Sequence, residues 1–447
     1  MSYNNPDEYC QANPLIILNT FRNGTSVGNA SAGCVSFAYD VADGSPNDTG
    51  GDVPIQYGIP ALPGTAANPR VDAQLQQIGS TWGIAHQHIP LRVFLSSFVR
   101  RHVGLGPRGE DGVYVIDYSN SAAASVVGGF NVQGVAPRNG GALIDVGTVT
   151  RTGSSDYVLG ATSTSNVDLD AFDKMGKVSF GDTDIGEDGK TLWMVNLNQR
   201  GLIQVDLSNY TPSMANPSFL PTNVISQYLL SPALGEPTCV GGVFRPWALK
   251  FKDQRGYLGG VCSGEVSQQI TDVVAYVLSF DPQNAGLGFS TVLSVSMNYT
   301  RENNMNGLGF LPERWHAWVS TWAETGLPFP NVAAVGPDSG AYGQPILSDI
   351  EFTENGSIVL GFSDRFGHQT GYDQYIPMPS AETLYGGFTS VSSGDILQVC
   401  RTASGYVMEG GVGCATGEVA GGSRRVDDGP GGSGEFYYQD TYISSLV

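Results

Sequence analysis

The chain has 447 residues, 41% hydrophobic and 14% charged, with 60 Gly and 25 Pro, the composition of a globular, loop-rich protein poor in helix formers. Its formal net charge is −20 and it contains no Lys/Arg-rich run, which argues against nucleic acid or an anionic leaflet as a partner, because both would be repelled at long range. No stretch approaches the roughly 18 apolar residues that a spanning helix requires.

Met1-Ser2-Tyr3-Asn4-Asn5-Pro6 has neither a basic n-region nor an apolar h-region, so either an export signal has been removed or the chain is part of a longer exported protein. Residues 1–75 are rich in Asn, Gly, Ser and Pro and carry the short apolar runs Leu15–Leu18 and Cys34–Tyr39; they are expected to form an irregular N-terminal segment or part of a closing blade.

From residue 76 onward one pattern recurs: a first strand, a polar turn, a second strand, and often a third ending in Asp. A degenerate copy joins Trp82–Ala85, Val93–Ser96 and Val113–Asp117. The next joins Asp182–Ile185, the turn Glu187-Asp188-Gly189-Lys190, Thr191–Asn196 and Leu202–Asp206. A third joins Arg245–Phe251, Tyr257–Cys262 and Ala275–Asp281. The clearest runs Asp349–Phe352, Thr353-Glu354-Asn355-Gly356, Ser357–Phe362, in which Asn-Gly between β-branched and aromatic runs predicts a tight primed turn with positive φ at its central positions. Long Gly/Ser/Asn-rich insertions separate the copies, notably Ser119–Gly141 and Tyr210–Gly235. The Gly-rich run at 421–434 leads into Glu435-Phe436-Tyr437-Tyr438, an expected closing strand. Repeated antiparallel units without helices between them predict an all-β fold, a single β-propeller of about six or seven blades over residues 76–447.

Six Cys fall in sequence-local couples, Cys10 with Cys34, Cys239 with Cys262 and Cys400 with Cys414. No Cys-x-x-Cys spacing occurs, so disulfides of a secreted protein are favoured over metal ligation, with buried free thiols as the alternative. Six Asn-x-Ser/Thr sites, at Asn23, Asn29, Asn47, Asn209, Asn298 and Asn355, suit exposed turns.

Trp82-Gly83-Ile84-Ala85, Arg101-His102-Val103-Gly104-Leu105-Gly106-Pro107, Leu192–Leu197, Arg245–Leu249, Asp364-Arg365-Phe366-Gly367 and Gly434–Tyr438 together make residues 76 to about 440 resemble the propeller segment of large secreted bacterial surface proteins. Those proteins carry serine-aspartate-repeat-type B-like or Cna-B-like domains, which this chain lacks. The resemblance implies a cell-surface setting and an adhesive or structural role, and it implies no catalytic residues.

In an antiparallel hairpin the start of the first strand and the end of the second share one edge. That edge gathers Trp82, Asp182, Asp184, Arg245 and Asp349 with Arg100, Arg101, His102, Asn196, Asp364 and Arg365. Arg101, His102, Asp182, Asp184, Arg245, Asp349, Asp364 and Arg365 form a candidate rim for a polar ligand, since a guanidinium fork fits a carboxylate or a sugar diol; pairing among themselves is the plainer reading. Asp168, Asp170 and Asp173, or Asp182 and Asp184 with Asp188, supply the hard oxygens that Ca2+ prefers, although neither run matches an EF-hand loop. His86-Gln87-His88 is expected to be an ordinary turn, and Trp315-His316-Ala317-Trp318 to pack between blades rather than stack on a sugar.

Two functions from different classes follow. The first is a noncatalytic extracellular propeller that adheres or scaffolds, with other surface proteins, copies of itself or glycans as partners. The second is a secreted metal-dependent hydrolase, lactonase- or glycosidase-like, using Asp182, Asp184 and Asp349 at the channel mouth with a bound Ca2+.

Overall fold

The computed structural model describes residues 15–40, 45–46, 70–120, 123–161, 164–301, 314–328, 338–378, 387–403 and 405–414. Strands dominate, and they lie in separate antiparallel sheets. In the first sheet β2 (Ala32–Asp40) pairs with β1 (Leu15–Asn19), with the two-residue β3 (Ser45–Pro46) and with β4 (Arg70–Gln74). The second sheet runs in chain order through β5 (Thr81–Gln87), β6 (Arg92–Ser97), β7 (Gly112–Asp117) and β8 (Ser125–Asn131). The third does the same with β9 (Phe180–Ile185), β10 (Thr191–Asn196), β11 (Gly201–Asp206) and β12 (Ile225–Leu229). The fourth holds β13 (Phe244–Lys252), β14 (Arg255–Cys262), β15 (Val274–Phe280) and β16 (Ser290–Ser296). A short parallel pair joins β17 (Asp338–Gly340) to β20 (Phe388–Ser390), and the last sheet orders β18 (Pro345–Phe352), β19 (Ile358–Asp364), β21 (Asp395–Thr402) and β22 (Gly405–Met408). Helix among the described residues is confined to short pieces: α1 (Leu75–Ile78), α2 (Ala171–Lys174), α3 (Arg365–Thr370) and single 3-10 turns.

The strands expected from sequence are present, and each repeat proves longer than its pattern. The insertion Ser119–Gly141 contains β8, and Tyr210–Gly235 contains β12. Both read as loops in sequence because their runs carry Gly, Ser or Gln where a strand usually alternates; pairing with the preceding strand overrides that weak local preference. The Asn355-Gly356 turn also differs from expectation. Gly356 alone has positive φ (79°), Gly356 N–H donates to Thr353 O at 2.9 Å, and Asn355 Oδ1 accepts from Ser357 N–H at 3.0 Å. This is a wider turn closed by a left-handed glycine, with the asparagine as a side-chain brace. The expected closing strand at 435–438 lies outside the described residues.

Core packing follows the period of two. In β6 and β7, Val93, Leu95, Tyr114 and Ile116 face the first sheet, where they meet Cys34, Ala73 and Ile78. Phe94, Val113 and Val115 face the other way, onto Phe180, Leu192, Met194, Ile203 and Val205 of the third sheet. These middle strands are therefore apolar on both sides, because each sheet is covered on both faces. Trp193, Trp247, Trp315 and Trp318 fill the largest apolar cluster, so the Trp315–Trp318 motif is core packing, as expected. Cys239–Cys262 and Cys400–Cys414 form disulfides. Cys34 is buried and unpaired among the described residues, and Cys10 lies outside them.

Gly83 sets how closely the second and third sheets approach. A Cβ there would stand 2.5 Å from Thr183 Oγ1 and 2.7 Å from Ser96 Oγ. Gly83→Val is expected to lower stability by about 1–3 kcal/mol through overpacking, read as a lower urea midpoint at unchanged m-value.

Candidate functional site at the centre of the first strands

The first strands of four sheets, β5, β9, β13 and β18, pack in succession, and β18 also reaches β9. Each slips register at one corresponding place. Trp82-Gly83 stands opposite Ser96 alone, Gly181-Asp182 opposite Val195, and Trp247-Ala248 opposite Gly259; in β18 Ser348 is the extra residue before Asp349. A bulge breaks strict alternation and re-aims side chains, and repetition in four strands turns Trp82, Asp182, Trp247 and Asp349 toward one neighbourhood.

Asp182, Asp184 and Asp349 are brought together there. Asp182 is half-buried, its Oδ2 accepting from Leu249 N–H at 3.0 Å and its Oδ1 from Thr183 N–H at 2.8 Å. Loss of surrounding water, then the charges of Asp349 and Asp184, hold its carboxyl well above the usual range. Asp184 is pushed up to about 6, mainly by loss of water and against the pull of Lys250. Asp349, the most open of the three, is raised by the same loss of water and by Glu351, with Lys250 opposing. Lys250 Nζ donates to Glu351 Oε1 at 2.5 Å across the fourth and last sheets. The three carboxyls thus all have raised proton affinities, Asp182 well above the ordinary range and Asp184 at about 6.

The remaining rim residues are engaged structurally. Arg101 is buried and donates to the backbone carbonyls of Val167, Asp168 (3.2 Å), Gln369 (2.8 Å) and Tyr375 (2.6 Å). Arg365 does likewise with Met175 O (2.9 Å), Val319 O (2.7 Å), Asp173 O (3.1 Å) and Gln344 Oε1 (2.7 Å). His102 is fully buried; its N–H donates to Asp168 Oδ2 at 2.7 Å and its Nδ1 lies 2.9 Å from Asn166 Oδ1, while burial and then Arg101 hold the ring well below its usual range and therefore neutral. Asp364 accepts from Gln344 N–H and Phe366 N–H, both at 2.9 Å, and so caps α3. Arg245 pairs with Glu265 at 2.5 Å. The sequence could not show that loops fold over these groups and consume their hydrogen bonds.

The aspartates proposed for Ca2+ are similarly committed. Asp168 binds Arg151 at 2.7 Å, Asp170 accepts from Thr150 N–H at 2.7 Å, and Asp173 binds Lys177 at 2.8 Å. Among the described residues no three side chains of His, Cys, Asp or Glu are grouped as a metal ion requires. A groove of about 450 Å³ opens at the far hairpin turns, lined by Arg138, Glu187, Trp193, Gln204, Tyr228 and Gln254 among others. Its polar groups satisfy one another: Glu187 Oε1 accepts from Asp253 N–H at 2.9 Å, and Gln204 Oε1 from Tyr228 OH at 3.2 Å.

No family model matches the chain. Colossin-A of Dictyostelium discoideum is 25% identical over 367 residues, 80% of this chain and 3% of that protein. Colossin-B of the same organism is 23% identical over 452 residues, 97% of this chain and 9% of that protein. The chain therefore spans a small fraction of the length of the relatives it matches. Among solved structures, a xylan β-1,4-xylosidase from Bacillus halodurans is similar at 11% identity and a TM-score of 0.38, covering 89% of this chain and 52% of that one. A periplasmic gluconolactonase from Pseudomonas aeruginosa is similar at 11% identity and a TM-score of 0.32, covering 88% and 82%. Superposition at that level decides neither fold nor chemistry.

Two outcomes test this geometry. Arg101→Lys keeps the charge but cannot reach four carbonyls, and is expected to cost on the order of 3 kcal/mol in chemical denaturation. Asp184 titrates higher folded, at about 6, than its ordinary 3.8, so its contribution to stability is complete below about pH 4 and disappears as pH rises through about 6. Asp184→Asn is expected to flatten the decline in unfolding midpoint across that window and to be more stable than wild type at neutral pH.

Proposed function

We propose that the four-stranded sheets are successive blades of a single β-propeller and that the chain is a hydrolase of glycosides or lactones, acting at the centre of the first strands. The observation that carries this reading is the approach of Asp182 and Asp184 of β9 to Asp349 of β18, with the Asp182 carboxyl raised well above its ordinary range by loss of water and then by the charges of Asp349 and Asp184. Pairs of carboxyls driven apart in proton affinity are the means by which one site supplies an acid and a base at the same pH.

In this scheme Asp182 is the acid and Asp349, the most open carboxylate, is the base. Water approaches the substrate carbon, Asp349 takes one of its protons, a carbon–oxygen bond forms, and the bond to the leaving oxygen breaks as Asp182 protonates that oxygen. Asp184 and Lys250 set the local charge that keeps the two roles separate. Two disulfides support an oxidising, extracellular setting for the chemistry.

The test is a hydrolysis assay on aryl glycosides and aldonolactones. Wild type is expected to show a bell-shaped dependence on pH, and Asp182→Asn to lose about 10²–10⁴ in kcat with its unfolding midpoint unchanged or raised at pH 7. A folded wild type that turns over neither class would return the chain to the noncatalytic scaffold suggested by its sequence resemblance.

A further inference from the structure

The groove at the far hairpin turns, about 450 Å³, is lined from both the third and the fourth sheets and has the size of a small-molecule site. Its charged groups are engaged by the protein itself. Glu187 accepts from Asp253 N–H at 2.9 Å and from Gln254 N–H at 2.5 Å. Asp188 Oδ1 accepts from the N–H groups of Lys190 at 3.0 Å and Thr191 at 2.9 Å. Arg138 Nε donates to Ser226 Oγ at 2.8 Å and its Nη2 to Gln204 Oε1 at 3.3 Å. The carboxamides that line the groove are not engaged to the same degree. Gln204 uses only its carbonyl oxygen, which also accepts from Tyr228 OH, and the side chains of Gln254 and Gln283 hydrogen-bond to none of the described residues.

One of these amides is held in place by a strained turn. Lys252 pairs with Arg255 across the β13–β14 hairpin, and the two residues between them, Asp253 and Gln254, both have positive φ, 52° and 60°. A tight primed turn requires that conformation and favours Asn and Gly in it, whereas glutamine has a longer side chain that does not brace its own backbone. Glu187, from the β9–β10 turn of the neighbouring sheet, fixes the strained pair by taking both of its N–H groups. A residue strained at the backbone, fixed from outside its own hairpin and lining a groove with a side chain that binds nothing in the protein, fits recognition better than it fits folding.

We infer that this groove binds a neutral sugar residue through Gln204, Gln254 and Gln283. A carboxamide donates and accepts in one plane and so matches adjacent hydroxyls, while the engaged charges leave little to attract an ion. Tyr228, stacked on Trp193 at 5.9 Å between ring centroids, adds an apolar wall for the C–H face of a ring. A peptide fits less well, because the edge of β12 that would pair with its backbone is already taken: Arg138 N–H donates to Ile225 O and Asn139 Nδ2 to Gln227 O, both at 2.8 Å. None of these groups belongs to the aspartate site, so the groove holds a sugar whether or not the chain hydrolyses one.

Titration of tryptophan fluorescence with the methyl β-glycosides of glucose, galactose, xylose and N-acetylglucosamine tests this on the full chain. At least one is expected to bind in the millimolar range or tighter, and methyl β-glucuronide to bind no more tightly than methyl β-glucoside. Gln254→Gly removes the amide and relieves the turn; it is expected to weaken the bound sugar about tenfold with its urea midpoint unchanged or raised, where a merely structural glutamine would lower that midpoint. Gln283→Ala, at an exposed position, is expected to weaken the same sugar several-fold. Binding of none of the four glycosides, or binding unchanged in both variants, overturns the proposal, as does acetylated triglycine amide binding as tightly as the best sugar. Tighter binding of the glucuronide than of the glucoside overturns the assignment to neutral sugars. Asp182→Asn is expected to bind as wild type does. Sugar binding lost in Asp182→Asn but kept in Gln254→Gly would place the sugar at the aspartates and overturn this site, whereas Gln254-dependent binding by a chain that hydrolyses nothing would end only the hydrolase reading.

Discussion

Four first strands each carry one residue more than their partner at one corresponding place, and the chemistry of this protein depends on that repeated surplus. A regular strand offers alternate side chains to its two faces, and here both faces are occupied by neighbouring sheets. Without the bulge, Trp82, Asp182 and Trp247 would have to serve the layers between sheets. With it, the apolar layers continue undisturbed through Val93, Leu192 or Leu258 while the bulged pairs turn toward the centre. Because the interleaved layers are close-packed, the sheets cannot slide, and the relative placement of the central groups is inherited from the core.

A second constraint acts at the edge of the same strands. Segments 147–161, 164–178 and 315–328 have little regular structure, so most of their carbonyls lack partners of the ordinary kind. Arg101 and Arg365 supply those partners from within the protein, each reaching carbonyls from separate loops. Arginine suits this task because its donors are fixed in a plane and its charge is weakly hydrated, whereas lysine offers one compact point. Trp318 lies 4.6 Å from the Arg365 guanidinium and 6.0 Å from that of Arg245, which adds aromatic support to the same roof.

What the sequence showed divides along these lines. Strand pairs such as Val93–Ser96 with Val113–Asp117, or Asp349–Phe352 with Ser357–Phe362, were legible because local alternation and turn chemistry are enough to specify a hairpin. The fourth strands were not, since β8 and β12 are strands through their pairing rather than through their composition. The engagement of Arg101 and Arg365 was not legible, because the carbonyls they bind are up to 274 positions away in the chain. Asp182, Asp184 and Asp349 could be named from the repeat alone. His368 could not: it stands five residues beyond Ser363 on a short helix that no periodic pattern announces, and only the fold brings it to Trp82 and Phe98.

The distribution of charge explains why the two halves of the centre differ in character. A net charge of −20 surrounds the protein with a field that favours cations and disfavours anions at a distance. Within that field the carboxyls of Asp182, Asp184 and Asp349 gain little from being ionised, and loss of water raises the proton affinity of each. Arg100 is in the opposite situation: the general field stabilises its charge, while among the described residues its immediate surroundings are the rings of Phe21 and His368 rather than a carboxylate.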